Sequence, residues 1–469
     1  MIRTYLFFFL AYSLLLLVVS IPFSRRMKNL EDFFLASRKL PFLLVYVSLT
    51  ASWIGASSTI VSVDEAFSRG VSSLWIMGLP AILTVAVFAF FLSGPIRKLP
   101  IITLPDLVEM RYGRVVRHMS AVLIVWYMTV LAASQMTALG GFLMPMMGQS
   151  YFLCILLGTL VVLVYSVLGG FFSVALTDGF QFLFLFLGFV FLFVFLNGKM
   201  SFSELSAAVS LNGKPDYFNF FFEFKRNFLI LVSFTMAWII SPIAWQRIQA
   251  SRSDRTAKKG LLAAGGTFLI FYGLILAIGI LAWAVFRNLA PGQSVLSLII
   301  SSKTNWLLGG IIFTAISAAI MSTLDTAINT GAMSFTRDIV QRMIFPGGAK
   351  RVVLVSRSMT LLVAGIALLI ASQIKSILLS LGLASEIMTV GFFIPGIAMI
   401  FMRGKAPLAG FLSLTLGALF SLTGFLSQMG IFPQILPEWP YSIPYGLLLS
   451  FLGFMIGLMI DRIKRKNVN

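Results

Sequence analysis

Apolar residues fill long uninterrupted runs along this chain, and polar residues gather in the short stretches between them. Thirteen such runs can be drawn, at about 4–23, 42–66, 73–95, 118–144, 151–168, 172–196, 227–247, 261–286, 306–334, 354–373, 376–401, 407–427 and 443–461. They cluster around the roughly 20 residues that a helix needs to cross a hydrocarbon core of about 30 Å. In lipid only an element that satisfies its own backbone can cross, so runs of this length predict helices. The expectation is an all-α integral membrane protein with about 13 transmembrane helices.

The polar stretches alternate in charge. Basic residues fall at every second connection: Arg25, Arg26, Lys28, Arg38 and Lys39; Arg97, Lys98, Arg111, Arg114 and Arg117; Arg247, Arg252, Arg255, Lys258 and Lys259. The series continues with Arg337, Arg342, Lys350, Arg351 and Arg357, then Arg403 and Lys405, then Arg462, Lys464, Arg465 and Lys466. Positive charge marks cytoplasmic loops, and an odd number of spans lets all of these lie on one face. The N-terminus is then outside and the C-terminus in the cytoplasm, in a multi-pass protein of the cell (inner) membrane. The longest segment expected on the opposite face, 197–226, mixes Glu204, Asp216 and Glu223 with lysines, as an external loop would.

Composition narrows the function further. Of 469 residues, 59% are hydrophobic and 11% charged, with a mean hydropathy of +0.98, far from a soluble domain. The net charge of +19 sits in topology-setting loops and implies no nucleic acid, although anionic lipid would be attracted to it. One cysteine, Cys154, cannot form a disulfide within the chain, and one histidine, His118, where a basic loop enters a span, reads as an interfacial side chain. No cleavable leader, soluble domain or phosphate-binding G-x-x-x-x-G-K-[ST] motif is expected, which leaves pumping by ATP without support.

Chemistry is expected where the spans break. Leu49-Thr50-Ala51-Ser52-Trp53-Ile54-Gly55-Ala56-Ser57-Ser58-Thr59 puts small and hydroxyl residues around Gly55 in mid-span, and Ile240-Ser241-Pro242-Ile243 puts a proline inside the seventh span, freeing a carbonyl. Broken backbone at that depth belongs beside a protein-buried or watery cavity; close helix packing with a plain kink is the alternative account. The two spans are five apart, so each would open a five-helix repeat, 42–196 and 227–401, the second inverted. Residues 1–41 would form an extra helix and cytoplasmic loop, 197–226 the external loop, and 402–469 two further helices with a basic tail.

The ninth span adds oxygen ligands. In Ala318-Ala319-Ile320-Met321-Ser322-Thr323-Leu324-Asp325-Thr326, the positions Ala319, Ser322 and Thr323 are i, i+3 and i+4 on one helical face. Their carbonyl and two hydroxyls, with carbonyls freed at Ala51 and Ile54, would make a five-oxygen shell for sodium, a hard cation that wants oxygens at roughly 2.4 Å. Hydroxyls facing their own helix carbonyls are the bland alternative. Intramembrane carboxylates are functional candidates by default. If Asp178 and Asp325 approach one another, the pair would either hold a second cation or raise the pKa of one partner enough for proton coupling; a salt bridge from Asp325 to a loop arginine such as Arg337 is the competing account. Glu386 has no evident partner, and Asp64 and Glu65 sit where solvation with Arg69 accounts for them.

At these residues the sequence resembles the sodium:solute symporter family of proline, pantothenate, sugar and sialic acid carriers. The resemblance runs over nearly the whole chain in separated blocks: Asp32-Phe33-Phe34-Leu35-Ala36-Ser37-Arg38, Ser48-Leu49-Thr50-Ala51-Ser52-Trp53, Thr103-Leu104-Pro105-Asp106-Leu107 and Arg111-Tyr112-Gly113. Further blocks are Gly169-Gly170, Thr177-Asp178-Gly179-Phe180-Gln181, Gln246-Arg247 and Ala319-Ile320-Met321-Ser322-Thr323-Leu324-Asp325. It implies the inverted five-helix-repeat fold shared with the bacterial leucine transporter, sodium-coupled uptake by alternating access, and a sodium site on Ala51, Ile54, Ala319, Ser322 and Thr323. In some members a second site adds the aspartate at Asp178 and hydroxyls at the positions of Asp325 and Thr326; this chain has a carboxylate at Asp325 where those members have a serine.

The resemblance also implies a small organic solute and no enzyme activity. The third-span stretch Leu74-Trp75-Ile76-Met77-Gly78-Leu79-Pro80 is apolar, which disfavours a polyhydroxylated ligand, and Ser241-Pro242 with Arg247 looks like the proline-symporter pattern. An amino acid such as proline or a small carboxylate is the expected solute, with Trp53, Ser57, Ser58, Trp75, Met77 and Ser241 as candidate contacts chosen from position alone. A proton-coupled carrier or a sugar or sialic acid symporter on the same fold, and a non-transporting membrane sensor, are the alternatives. Oligomeric state is not legible.

Overall fold

The computed structural model describes residues 2–20, 35, 38–198, 214–286, 294–302, 304–344, 349–402 and 404–466, with side chains for all of these but 2, 3, 20, 167–173, 343, 344 and 349–353. The basic residues Arg25, Arg26, Lys28 and Arg403, the block Asp32–Ser37 apart from Leu35, and Glu204 of the external loop lie outside the described residues, as do the side chains of Lys350 and Arg351. Among the described residues the chain is helical throughout. The helices are α1 (Ile2–Ser20), α2 (Phe42–Trp53), α3 (Ser62–Arg69), α4 (Gly78–Val87), α5 (Ser93–Lys98), α6 (Leu104–Tyr112), α7 (Arg114–Met147), α8 (Tyr151–Asn197) and α9 (Phe224–Ile239). They continue as α10 (Pro242–Ala250), α11 (Asp254–Phe286), α12 (Val295–Ser302), α13 (Trp306–Ser334), α14 (Ala349–Gln373), α15 (Ile377–Gly391), α16 (Phe393–Phe401), α17 (Pro407–Gln428) and α18 (Ile443–Lys466).

Nine helical stretches among the described residues are long and apolar enough to cross a membrane, ten with the bent pair α15–α16, and three shorter apolar helices accompany them. The thirteen expected runs do not map onto these one to one. The second run is cut at Gly55, and its outer half continues through a π turn at Ser57–Val61 and a 3-10 turn at Gly70–Trp75 into the third. The fifth and sixth runs are joined in the single helical stretch α8, whose two halves both lie along α13, Tyr165 reaching Met321 O and Gly188 packing on Ala315.

Both breaks expected from the sequence are present. α2 stops because Ile54 leaves helical geometry at φ −87° and ψ 79°. α9 stops at Ile240, after which the extended Ser241 (φ −67°, ψ 128°) leads into Pro242 at the first position of α10, where a missing N–H costs nothing. The expected eleventh span is broken as well, a difference from the uniform run drawn at 376–401. Phe392 (φ −128°, ψ −20°) divides α15 from α16 with a bend of 47°. Pro395, three residues on, cannot donate to the turn before it.

α13 is the centre of the molecule. It packs along α7 and α8 and touches α2, and its residues from Ile312 to Ala327 are buried without exception. At the basic end, two backbone bonds tie the chain before α2 to the chain after α10: Leu40 N–H donates to Ala250 O at 3.0 Å, and Arg252 N–H to Leu40 O at 3.1 Å. Arg117, placed in a basic loop by hydropathy, is instead 2% exposed in α7. It donates to Asp338 at 2.9 Å and reaches Asp106 and Glu109 at 3.3 Å, while the Thr103 hydroxyl donates to Asp338 at 2.8 Å. Removing one partner of a buried ion pair strands the other charge. Asp338→Ala should therefore lower stability by about 3 kcal/mol in detergent melts, with Arg117→Met/Asp338→Leu costing less than the single change. Equal losses for the single and double variants would show that the pair is not what holds this end together.

Candidate functional site

The break at Gly55 brings α2 against α13. Ser322 donates to Ala51 O at 3.0 Å and to Ala319 O at 3.0 Å, and Thr323 reaches Ser52 O at 3.3 Å and Ala319 O at 3.4 Å. All five residues are buried. Oxygens about 2.4 Å from a common centre stand about 3.4 Å apart at right angles, so these separations are those of a hard cation's ligand shell. A hydroxyl that donates to a carbonyl can rotate to offer a lone pair without moving its oxygen. Ile54 accepts from neither hydroxyl; the Ser52 carbonyl, which sequence reasoning did not single out, is the α2 oxygen that meets Thr323.

Space at Gly55 is tight because two polar side chains converge on it. A Cβ there would lie 2.6 Å from Thr323 Oγ1 and 2.7 Å from Gln135 Oε1. Gln135 Oε1 accepts the Ala56 N–H at 2.9 Å, satisfying an amide that the broken helix leaves open. Beyond the break, Ser62 donates to Ser57 O at 2.8 Å and Thr59 to Gly55 O at 2.9 Å, holding the π turn.

A cavity of about 40 Å³ lies between the two breaks and touches the oxygen group at Ser52, Gly55 and Thr323. Its aromatic walls are Trp53, Tyr127 and Trp238, its aliphatic ones Leu131, Ile243, Ala244 and Leu381, and its further polar ones Ser57, Gln135 and Ser241. Trp53 meets Trp238 edge to face at 5.7 Å, Trp238 stacks on Phe234 at 5.4 Å, and the Tyr127 hydroxyl donates to Ser241 Oγ at 3.4 Å. No charged side chain is among the lining residues. That volume holds roughly three water molecules, so an organic solute enters only if the aromatic walls move.

Of the six candidate solute contacts, Trp53, Ser57 and Ser241 line this cavity and Ser58, Trp75 and Met77 do not. Ser58 pairs with the Tyr272 hydroxyl at 2.8 Å and faces α11. Trp75 donates its indole N–H to Phe220 O at 2.9 Å inside an aromatic group with Phe220, Phe221 and Phe224. Met77 is fully buried at the entry to α4. Gln135, Tyr127 and Trp238 were missed by sequence reasoning. An amide in the middle of an apolar run was the available signal for Gln135; the two rings carry none.

The two carboxylates take different hydrogen-bond partners while staying within electrostatic reach of one another. Asp178 Oδ2 accepts from Ser48 at 2.7 Å and Ser52 at 3.3 Å, and lies 3.7 Å from Arg247 Nη2. Thr326 and Ser52 face the same nitrogen at 3.0 and 2.6 Å. Arg247, expected to open a cytoplasmic loop, is 1% exposed. Asp325 turns the other way and accepts from Ser166, with Arg247 rather than Arg337 as the cation near it. Glu386 is buried on α15 outside the cavity; Asp64 caps α12 by accepting Val295 N–H at 2.8 Å, and Glu65 pairs with Arg69 at 2.9 Å.

The same arrangement of helices is found in known carriers. The structure matches that of a substrate-bound, outward-open, sodium-coupled sialic acid symporter with a TM-score of 0.79 at 20% identity, covering 97% of each chain, which shows the leucine-transporter-like fold. The sequence is 28% identical over 412 residues to the sodium/glucose cotransporter of Vibrio parahaemolyticus, covering 80% of this chain and 75% of that one. It is 24% identical over 411 residues to sodium/proline symporter 2 of Staphylococcus saprophyticus, covering 81% and 77%. The profile of the sodium:solute symporter family matches residues 33–407. The chain is a multi-pass membrane protein of the sodium:solute symporter family, whose coupling ion is sodium.

Proposed function

We propose that sodium binds the oxygens of Ala51, Ser52, Ala319, Ser322 and Thr323, with the Ile54 carbonyl completing the shell, and that the adjoining cavity takes a small amino acid or carboxylate. The observation that carries this is the sharing of Ser52, Gly55 and Thr323 between the oxygen group and the cavity. An ion bound there holds the α2 break against α13 and forms part of the solute's wall, so each ligand favours the conformation that the other needs. The inverted repeats 42–196 and 227–401 would then rock against each other around the site, with the basic loops and C-terminus in the cytoplasm.

Solute class follows from the lining. With Thr323 engaged by the ion and the Ser52 side chain by Arg247, the polar groups left for a solute are the side chains of Ser57, Gln135 and Ser241, the Tyr127 hydroxyl and the Trp53 indole N–H. A sugar's hydroxyls, once desolvated, need a partner each, which this wall does not supply. A compact solute with an apolar body and one carboxylate fits a wall of this kind. Relatives named for glucose and for proline are both similar to this chain, and the lining favours the second.

Sodium should raise the melting temperature of the purified protein relative to potassium or choline at fixed ionic strength. At a hundredfold excess over Kd the stabilisation is about 2.7 kcal/mol, and Ser322→Ala/Thr323→Ala should abolish it. In sodium, proline or a small carboxylate should add a further shift and glucose none; a shift with glucose alone would reverse the solute reading. Gly55→Ala should displace the Thr323 hydroxyl and weaken sodium at least tenfold in the same titration, and an unchanged midpoint would remove Thr323 from the site.

A further inference from the structure

Along one face of α11 and the residues leading into it, the side chains change abruptly from cationic to apolar. Arg252, Arg255, Thr256 and Lys259 follow at i, i+3, i+4 and i+7, and Leu262, Gly266, Leu269, Ile270 and Gly273 carry the same face onward. The three basic residues are exposed, and so, at 44%, 60% and 65%, are Leu262, Leu269 and Ile270. A Cβ at Gly266 or Gly273 would meet nothing within 4 Å, so the track between the exposed side chains is open. The basic end of this face lines a cleft of about 520 Å³ together with Ser253 and with Phe42, the first residue of α2.

We infer that this cleft binds the phosphate of an anionic phospholipid from the leaflet at the basic end of the molecule, with the acyl chains lying along the apolar part of the α11 face.

The cations of the cleft have no anionic partner. Among the described residues no carboxylate pairs with Arg252, Arg255 or Lys259; Asp254, in the same turn, is taken by Lys98 at 3.7 Å and is not part of the lining. Arg255 and Lys259 stand four apart on the helix, an arrangement of like charges that costs free energy until an anion lies between them. Arg252 Nε donates to Thr256 Oγ1 at 3.4 Å, which leaves its two terminal nitrogens for the paired oxygens of a phosphate. The walls are already set. Ser253 and Thr256 hydroxyls pair at 2.9 Å, Phe42 stacks on Tyr46, and the Tyr46 hydroxyl meets Thr267 of α11 at 2.8 Å. A free phosphate ion would use the cations alone. Exposed apolar residues begin at Leu262, less than one turn past Lys259, so contacts for headgroup and chains lie end to end and only a lipid uses both. Bound there, the phosphate joins the start of α2 to the start of α11, beside the backbone bonds between Leu40, Ala250 and Arg252.

The test is native mass spectrometry of the purified, delipidated full chain with dioleoylphosphatidylglycerol, dioleoylphosphatidylcholine or inorganic phosphate, on wild type, Arg255→Gln/Lys259→Gln and Lys464→Gln/Lys466→Gln. The last removes the same charge from the end of α18, and both double variants change exposed side chains only. Wild type should hold phosphatidylglycerol under activation that strips phosphatidylcholine. Arg255→Gln/Lys259→Gln should weaken that binding about thirtyfold, the attraction of two basic residues to an anionic headgroup, and Lys464→Gln/Lys466→Gln should leave it unchanged. Equimolar inorganic phosphate should not displace the lipid. Equal losses in the two double variants would reduce the effect to diffuse surface charge and overturn the inference, as would equal retention of phosphatidylcholine. Displacement by equimolar phosphate would overturn the lipid assignment and make the cleft a site for a soluble phosphate.

Discussion

A helix interrupted inside a membrane has carbonyls and amides that lipid cannot satisfy, and the rest of this structure is arranged around one such interruption. At Ile54 and Gly55, α2 gives up its own hydrogen bonding, and the groups set loose are taken up by side chains of two other helices. Gln135 of α7 accepts the Ala56 amide, while Ser322 and Thr323 of α13 meet the carbonyls of Ala51 and Ser52. Glycine is required there because the two polar side chains arrive within 3 Å of where a Cβ would stand. The contact joins α2 to α13 through hydrogen-bonding groups, and polar contacts of that kind can be rewritten by an ion.

Electrostatics follows from the same contact. A sodium ion at the Ser322 group would have only neutral oxygens as ligands, so its charge must be met from further out. The buried acidic and basic side chains around this group are Asp178, Asp325 and Arg247. The arginine, the two carboxylates and the ion then form one buried system in which each member sets what the others can hold.

Much of this was legible in the sequence because membranes impose strong rules. Apolar runs near 20 residues, Gly55 within a hydroxyl-rich stretch and Pro242 inside a span identified the helices and both main breaks. The i, i+3, i+4 spacing of Ala319, Ser322 and Thr323 put three oxygens on one face before their partners were known. What escaped was what depends on distant parts of the chain meeting. Arg117 and Arg247 were counted as loop charges, since hydropathy registers that a residue is basic and not that its side chain turns inward to a carboxylate of another helix. Trp75 was a candidate solute contact from its position in the third span alone, while its actual partner, the Phe220 carbonyl, lies 145 residues away. The bend at Phe392 had only Gly391 and Pro395 as local signs, too few to distinguish from an ordinary apolar span.

The central claim is that sodium closes the α2 break onto α13, and amide hydrogen exchange compared in sodium and in potassium reads that closure directly. The account predicts that sodium slows exchange over 51–58 and 319–326 together, with smaller effects in α17 and α18, which stand apart from the site. Protection confined to other helices, or none that distinguishes sodium from potassium, would contradict it.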